Sequence, residues 1–166
     1  MPEHKDVIEQ LRKKLHGLKV AMLTTVEADG SLRSRPMAAQ DLDDDGCLWF
    51  FTEASSSKAD EVLHDEHINL SYASHDDNRY ISVSGAAQIV RDQAKVKELW
   101  SPLYKAWFPK GLDDPELALL RVRVEKAEFW DSPGAKVVQL AGFVKALATG
   151  KRYEPGDHEK LKLQGH

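Results

Sequence analysis

Short β-type runs separated by tight turn signals are the feature of this sequence that most restricts its fold. Asp29-Gly30 lies between the apolar run Val20–Val26 and a return run, Leu32–Asp41, and an Asp-Gly pair favours a hairpin turn. Polar turns at 43–46 and 75–78 separate further runs. Turns this short join antiparallel neighbours, because parallel strands need long crossover connections. Further strands are predicted at Cys47–Thr52, Ile68–Ala73, Tyr80–Val90 and Leu117–Phe129.

The predicted strands indicate a mainly β fold with peripheral helices. A barrel or a sandwich suits the short turns, and a closed barrel removes exposed strand edges. We therefore expect a six-stranded antiparallel barrel. Apolar residues at helical spacing predict an N-terminal helix over 3–16. Further helices are predicted at 58–64, 92–100, 101–108 and 137–147.

The length of the chain predicts a single domain. Its 166 residues lie within the usual range for one domain, and no linker or internal repeat interrupts them. We assign residues 1–150 to this domain, with the N-terminal helix included. Residues 151–166 are polar and are expected to form a loosely packed C-terminal tail.

Composition and charge argue against several classes of function. No stretch approaches the roughly 20 apolar residues that span a bilayer, so no membrane partner is expected. The net charge of −4 argues against nucleic acid, because a phosphate backbone attracts a concentrated basic face. The N-terminus lacks the apolar core of a secretory signal, and the single cysteine, Cys47, fits a reducing compartment. These features predict a cytoplasmic protein.

Three apparent centres have simpler interpretations. The acidic run 41–46 resembles the start of a calcium loop, but its twelfth position is Thr52 rather than a glutamate, which favours an acidic hairpin turn. His64 and His67 lack an evident third metal ligand, which favours a solvated helix end. Cys47 has no activating base beside it in the sequence, which favours an inert buried thiol.

Two basic segments together indicate an anion site. Arg33 and Arg35 alternate along one predicted strand and therefore share a face. Ser55-Ser56-Ser57 precedes Lys58 at the start of a short helix, where hydroxyls, amides and a lysine can hold a phosphate. Ordinary surface charge with a helix cap is the alternative. Aromatic rings can stack on a flat ligand, although such residues more often lie in the core. The large aromatic residues are Trp49, Phe50, Phe51, Trp107, Phe108 and Trp130.

Five segments of the sequence resemble those of a known family in their order and spacing. They are Arg35-Pro36-Met37-Ala38, Trp49-Phe50-Phe51-Thr52, Ser57-Lys58, the run 79–85 and Glu128-Phe129-Trp130-Asp131. Over residues 5–150 the chain resembles the FMN-binding split barrels, the fold of pyridoxamine phosphate oxidase and its relatives. Within this superfamily it is similar to the bacterial general stress proteins of the type called general stress protein 26.

The resemblance implies a homodimer with FMN in composite clefts between the subunits. Arg35 and Lys58 would bind the FMN phosphate, with Ser57 assisting them. The other subunit would contribute Tyr80 and Trp130 to the same cleft. The walls around the isoalloxazine ring and ribityl chain would comprise Pro36, Met37, Ala38, Phe51 and Thr52, with Trp107 and Phe108 near the ring.

The segments that bind substrate in pyridoxamine phosphate oxidase are not matched. After Trp130, the segment 131–136 lacks the Arg-x-His pair of that enzyme, and the helix that grips its substrate phosphate has no clear match around 100–107. Oxidation of vitamin B6 is therefore not expected. The leading hypothesis is an FMN-dependent oxidoreductase of unknown small-molecule substrate. The alternatives are a non-enzymatic flavin-binding or flavin-sensing stress protein, and a split barrel that uses FAD, haem or a deazaflavin.

Overall fold

A computed structural model describes residues 4–131, 145, 147–150 and 157–163 of the chain. Its helices are α1 (His4–Leu15), α2 (Ser57–His64) and α3 (Gln93–Leu99), with 3-10 turns at Pro102–Ala106 and Gly111–Asp113. Its strands are β1 (Val20–Val26), β2 (Leu32–Ala38), β3 (Cys47–Glu53), β4 (His67–Ser74), β5 (Arg79–Val90), β6 (Leu117–Asp131) and β7 (Asp157–Lys162).

The strands form one antiparallel sheet in the order β2-β1-β4-β5-β6-β3. These six strands curl into a half-barrel with a few helices around it, which confirms the predicted fold class. Each predicted strand is present. The second strand ends at Ala38, three residues before its predicted end, because Ala39 bonds Lys19 and the chain then leaves the ladder.

The prediction of a loosely packed tail is wrong for residues 157–162. They form β7, which pairs with β6 from Lys126 to Asp131. Leu161 and Leu163 lie in the main core with 8% and 5% of their surface exposed. Two leucines in a polar segment are too short a pattern to predict a strand. In the structure, these two side chains are buried where β7 pairs with β6. The helix predicted at 137–147 lies mostly outside the described residues.

Strand β6 organises the core because both of its faces are covered. One face carries Leu120 and Val122 into the main core, where α1 packs through Leu11. The other face carries Leu119 into a second cluster beneath α3. Successive side chains of β3 also point to the two sides of the sheet, since Phe50 lies in the main core and Trp49 in the second cluster. The 3-10 segment after α3 is thereby fixed beside β3.

A bulge in the β5–β6 ladder requires glycine at position 85. Ser84 is opposite Lys126, but Gly85 is opposite Val124, so Glu125 is the extra residue. A Cβ added to Gly85 would lie 2.2 Å from the backbone carbonyl oxygen of Arg123. That distance is far inside van der Waals contact, and backbone atoms have little freedom to move away.

Gly85→Ala is expected to lower the free energy of unfolding by about 1–3 kcal/mol, since the ladder must shift to accept the methyl group. Denaturant unfolding of the two proteins measures this difference. Lys97→Ala, at an exposed position of α3, is the control and is expected to change stability by less than about 0.5 kcal/mol. An unchanged stability for Gly85→Ala contradicts the close backbone approach.

Candidate functional site

A cavity of about 550 Å³ lies where the two ends of the sheet face each other. Strands β2 and β3 terminate the order of the sheet, so the cavity occupies the split of the half-barrel. A volume of this size is typical of sites for small molecules or cofactors. The lining residues are Val20, Arg35, Pro36, Met37, Ala38, Phe51, Thr52, Glu53, Lys58, Tyr104, Trp107 and Phe108.

One wall of the cavity is apolar and largely aromatic. The Phe51 ring lies 4.5 Å from the Tyr104 ring and 5.7 Å from the Trp100 ring. Gln40 donates a hydrogen bond of 2.8 Å to the Tyr104 hydroxyl and fixes its position. Trp107 lines the cavity while 66% of its surface is exposed. A flat, mostly apolar ligand can lie against such rings.

Another part of the cavity lining is cationic. Lys58, in the first turn of α2, donates a hydrogen bond of 3.2 Å to the hydroxyl of Thr52 at the end of β3. Arg35 of β2 lines the same cavity, and its charge acts on Lys58. Arg33, two residues earlier on β2, donates a hydrogen bond of 3.2 Å to the hydroxyl of Ser57. Three cations therefore surround the start of α2, where helical amides also favour an anion.

Two carboxylates oppose this cluster: Glu53 lines the cavity near Lys58, and Glu61 contacts the arginines directly. Its carboxylate accepts a hydrogen bond of 2.6 Å from Nη2 of Arg35 and a short one from the Thr25 hydroxyl. Nη1 of Arg35 donates to that hydroxyl at 2.5 Å. Arg33 lies 3.8 Å from the same carboxylate. The Arg35 and Glu61 side chains are only 13% and 11% exposed, so this ion pair is largely withdrawn from solvent.

Burial, hydrogen bonds and neighbouring charges all shift the pKa values of this cluster. Burial lowers the pKa of Lys58 below its usual range, and the charges of Arg35 and Arg33 lower it further, while the carboxylates of Glu53 and Glu61 partly oppose this shift. Desolvation raises the pKa of Glu61, but hydrogen bonds from Thr25 and Arg35 and the arginine charges outweigh it, so the net shift is downward. Lysine and arginine repel each other here, and an anion in the cavity would relieve that repulsion.

The structure gathers most of the site residues that the sequence predicts. Eight line one cavity: Arg35, Pro36, Met37, Ala38, Phe51, Thr52, Lys58 and Trp107. Phe108 joins them. Ser57 does not line the cavity, and its hydroxyl accepts the hydrogen bond from Arg33 instead.

Tyr80 and Trp130 lie apart from the cavity. They are directly opposite each other in the β5–β6 ladder, and the Tyr80 hydroxyl is 3.1 Å from Nδ1 of His75. The expectation that both residues reach the cleft from a second subunit stays a prediction.

Sequence reasoning missed Glu61, Thr25 and Tyr104. Glu61 is three residues after Lys58, a spacing that places both on one face of a helix, so a helical projection of α2 would have indicated it. Thr25 is directly opposite Arg33 in the β1–β2 register, which follows from the hairpin turn. Tyr104 had no comparable signal, because its position depends on how the 3-10 segment packs on β3.

The three dismissed centres can be located in the structure. Asp43 accepts hydrogen bonds from the backbone of Asp45 and Cys47 and from the indole of Trp49, as in a side-chain-stabilised turn. Within the described ranges, no group of three acidic, histidine or cysteine side chains is arranged to hold a metal ion. Cys47 is buried, and its burial raises the pKa of the thiol.

The half-barrel and the cavity at its split define the class as the split-barrel proteins. The family model described as pyridoxamine 5'-phosphate oxidase like matches residues 6–154. The chain therefore belongs to the pyridoxamine 5'-phosphate oxidase-like family.

Relatives of this chain come from a fungus and from bacteria. Protein bli-3 of Neurospora crassa is 33% identical over 165 residues, which cover 93% of this chain and 78% of that protein. A general stress FMN/FAD binding protein from Xanthomonas citri is 30% identical with a TM-score of 0.66, over 79% of this chain and 92% of that one. A general stress protein 26 structure from Jannaschia sp. CCS1 has a TM-score of 0.74 and 24% sequence identity, and the match covers 95% of this chain and 98% of that one.

No helix in the described part of the chain has the length and hydrophobicity needed to cross a membrane.

Proposed function

We propose that this protein binds FMN in the split of the half-barrel and acts as a flavin-dependent oxidoreductase. The observation that carries the proposal is a single cavity lined both by aromatic side chains and by two cations, Arg35 and Lys58, with Arg33 beside them on Ser57. FMN has the matching parts, a broad apolar ring system at one end and a dianionic phosphate at the other. A general stress FMN/FAD binding protein among the relatives supports a flavin.

Each part of the cavity has a role in this proposal. Arg35 and Lys58 hold the phosphate through charge-assisted hydrogen bonds. Met37 and Phe51 pack against the ring system and exclude water from that side. The edges of β2 and β3 that face the split have no ladder partner among the described strands, so their backbone groups can bond the polar rim of the ring. FMN supplies two-electron redox chemistry when it is bound, and the protein supplies position and electrostatics.

The proposed substrate is a small molecule other than pyridoxamine phosphate. In this chain the position after the family tryptophan, Trp130, is Asp131, and no Arg-x-His pair follows it. Trp107 leaves an exposed aromatic surface at the mouth of the cavity, where a substrate can approach the flavin. A role in the general stress response and a cytoplasmic location belong to the same proposal.

The proposed active form is a homodimer. The outer face of β1 and β2 next to the cavity exposes apolar side chains, with Val20 57% and Met22 40% exposed. Tyr80 and Trp130 lie on β5 and β6, across β4 from this patch. A two-fold axis near β4 would place Tyr80 and Trp130 of the partner subunit over the patch, since such an interface pairs one surface with itself. The flavin would then be covered on both sides.

Loss of either phosphate cation is expected to weaken FMN more than riboflavin. Arg35→Ala or Lys58→Ala removes a charged hydrogen bond, which corresponds to about 1–3 kcal/mol, whereas riboflavin has no phosphate. Titration of flavin fluorescence measures both affinities. Lys97→Ala removes the same charge from an exposed position on α3 and is expected to change neither. Equal losses for the two ligands contradict the phosphate role.

Met22→Glu is expected to convert the dimer to a monomer and to weaken FMN at the same time. The substitution places a charge in the proposed apolar interface, and each 1.4 kcal/mol of lost association corresponds to about a tenfold change. Analytical ultracentrifugation at several concentrations, with flavin titration in parallel, measures both effects. Leu63→Glu, on the 78% exposed side chain in α2, is the control. A monomeric wild-type protein that retains FMN would disprove the composite site.

The oxidoreductase proposal predicts that NADH or NADPH bleaches the bound flavin under anaerobic conditions. Colour is expected to return when an electron acceptor is added, and the cycle is followed by absorbance near the flavin maximum. The alternative is a protein that stores or senses flavin without turnover. Flavin that stays bound but is never reduced by either nucleotide favours that alternative.

A further inference from the structure

We propose that Glu61, together with Thr25, is a positioning pair that presents one edge of Arg35 to a phosphate group. This inference rests on the proposed function, because it concerns the anionic end of the same cavity. Neither Glu61 nor Thr25 lines that cavity. Each acts on a ligand through Arg35.

The two short side-chain hydrogen bonds of Arg35 occupy one edge of its guanidinium group, and Nη1 also donates a longer bond of 3.4 Å to the carbonyl oxygen of Arg33. Nη1 donates to Thr25 and Nη2 to Glu61, at 2.5 and 2.6 Å. The Thr25 hydroxyl in turn donates to the same Glu61 oxygen, which closes a ring of three hydrogen bonds. This ring holds the end of the guanidinium formed by Nη1 and Nη2.

The opposite edge of the guanidinium is left for a ligand. Nε and the second proton of Nη2 lie side by side on that edge, since arginine has five donors in a fixed fork. Among the residues that the structure describes, Nε of Arg35 has no hydrogen-bond partner, and Arg35 lines the cavity. Two parallel N–H donors on a planar group are the arrangement that binds a phosphate through two oxygens.

The negative charge of Glu61 has one effect when the cavity holds no ligand and another when a phosphate is bound. Without a ligand, Glu61 neutralises one of three neighbouring cations and allows Arg35 to be only 13% exposed. With a phosphate bound, Arg33, Arg35 and Lys58 face two carboxylates, Glu61 and the cavity-lining Glu53, which leaves one net positive charge from the protein side to meet the dianion. A glutamine keeps one carbonyl acceptor for the ring and removes the charge, whereas an alanine removes both.

The ratio of FMN to riboflavin affinity tests this role. Glu61→Ala is expected to weaken FMN about tenfold and riboflavin less than about twofold, because only the phosphate contact depends on the orientation of Arg35. Glu61→Gln is expected to restore FMN affinity to within about threefold of wild type. Glu66→Ala makes the same charge change at an exposed residue beyond α2 and is expected to leave the ratio unchanged.

A second variant covers the case in which Glu61→Ala does not fold. Thr25→Val keeps the shape of the side chain, removes the hydroxyl from the ring, and is expected to lower the FMN-to-riboflavin ratio about threefold. An unchanged ratio in both Glu61→Ala and Thr25→Val overturns the inference. An equal loss for FMN and riboflavin also overturns it, because that pattern indicates a structural role only.

Inorganic phosphate separates this inference from the proposed function. In wild-type protein labelled with 15N, the Nε–H signal of Arg35 is expected to shift on titration with phosphate, and the shift is expected to be lost in Glu61→Ala. If the protein binds no flavin but shows this shift, the proposed function fails and the positioning role stands. If flavin binds and the Arg35 signal responds equally in wild type and Glu61→Ala, the positioning role fails and the flavin site stands.

Discussion

The ladder between β5 and β6 is the interaction on which the rest of the structure depends. Twelve residue pairs connect these strands, and β6 also carries β3 and β7 along its other edge. The bulge opposite Gly85 bends the ladder, since an extra residue increases local twist. The bend allows the sheet to curl without closing, and β2 and β3 therefore face each other across a split rather than pairing. The cavity exists because the sheet stops one hydrogen-bonded connection short of a closed barrel.

The sequence predicts the strands well because their signals are local. Turn residues such as Asp29-Gly30 and the alternation in β5 act within a few positions, and both appear in the structure at the expected places. Arg35 on β2 and Lys58 at the start of α2 are likewise placed by local signals, whereas their meeting in one cavity depends on the curl of the sheet. Each lies at a position that the strand and helix boundaries already define.

The parts that sequence reasoning missed depend on contacts between distant segments. Pairing of β7 with β6 joins residues 26 to 36 positions apart, and the aliphatic signals of the polar tail are limited to Leu161 and Leu163. Glu61 resembles an ordinary exposed acid in the sequence. Its significance becomes visible only when α2 packs beside β1 and β2 and brings Thr25 and Arg35 to its carboxylate.

The arrangement of charge at the split follows from the same topology. Arg33 and Arg35 share a face of an edge strand, and α2 begins directly after β3 at the facing edge. Two arginines and a lysine are consequently brought together at the start of a helix. Such a cluster repels itself unless a carboxylate enters it, and Glu61 occupies the next turn of α2, where it reaches both arginines. Three bases against two acids, Glu61 and Glu53, leave the split with a net positive charge beside its aromatic side chains, so the cavity favours a ligand that carries both an anionic group and a ring system.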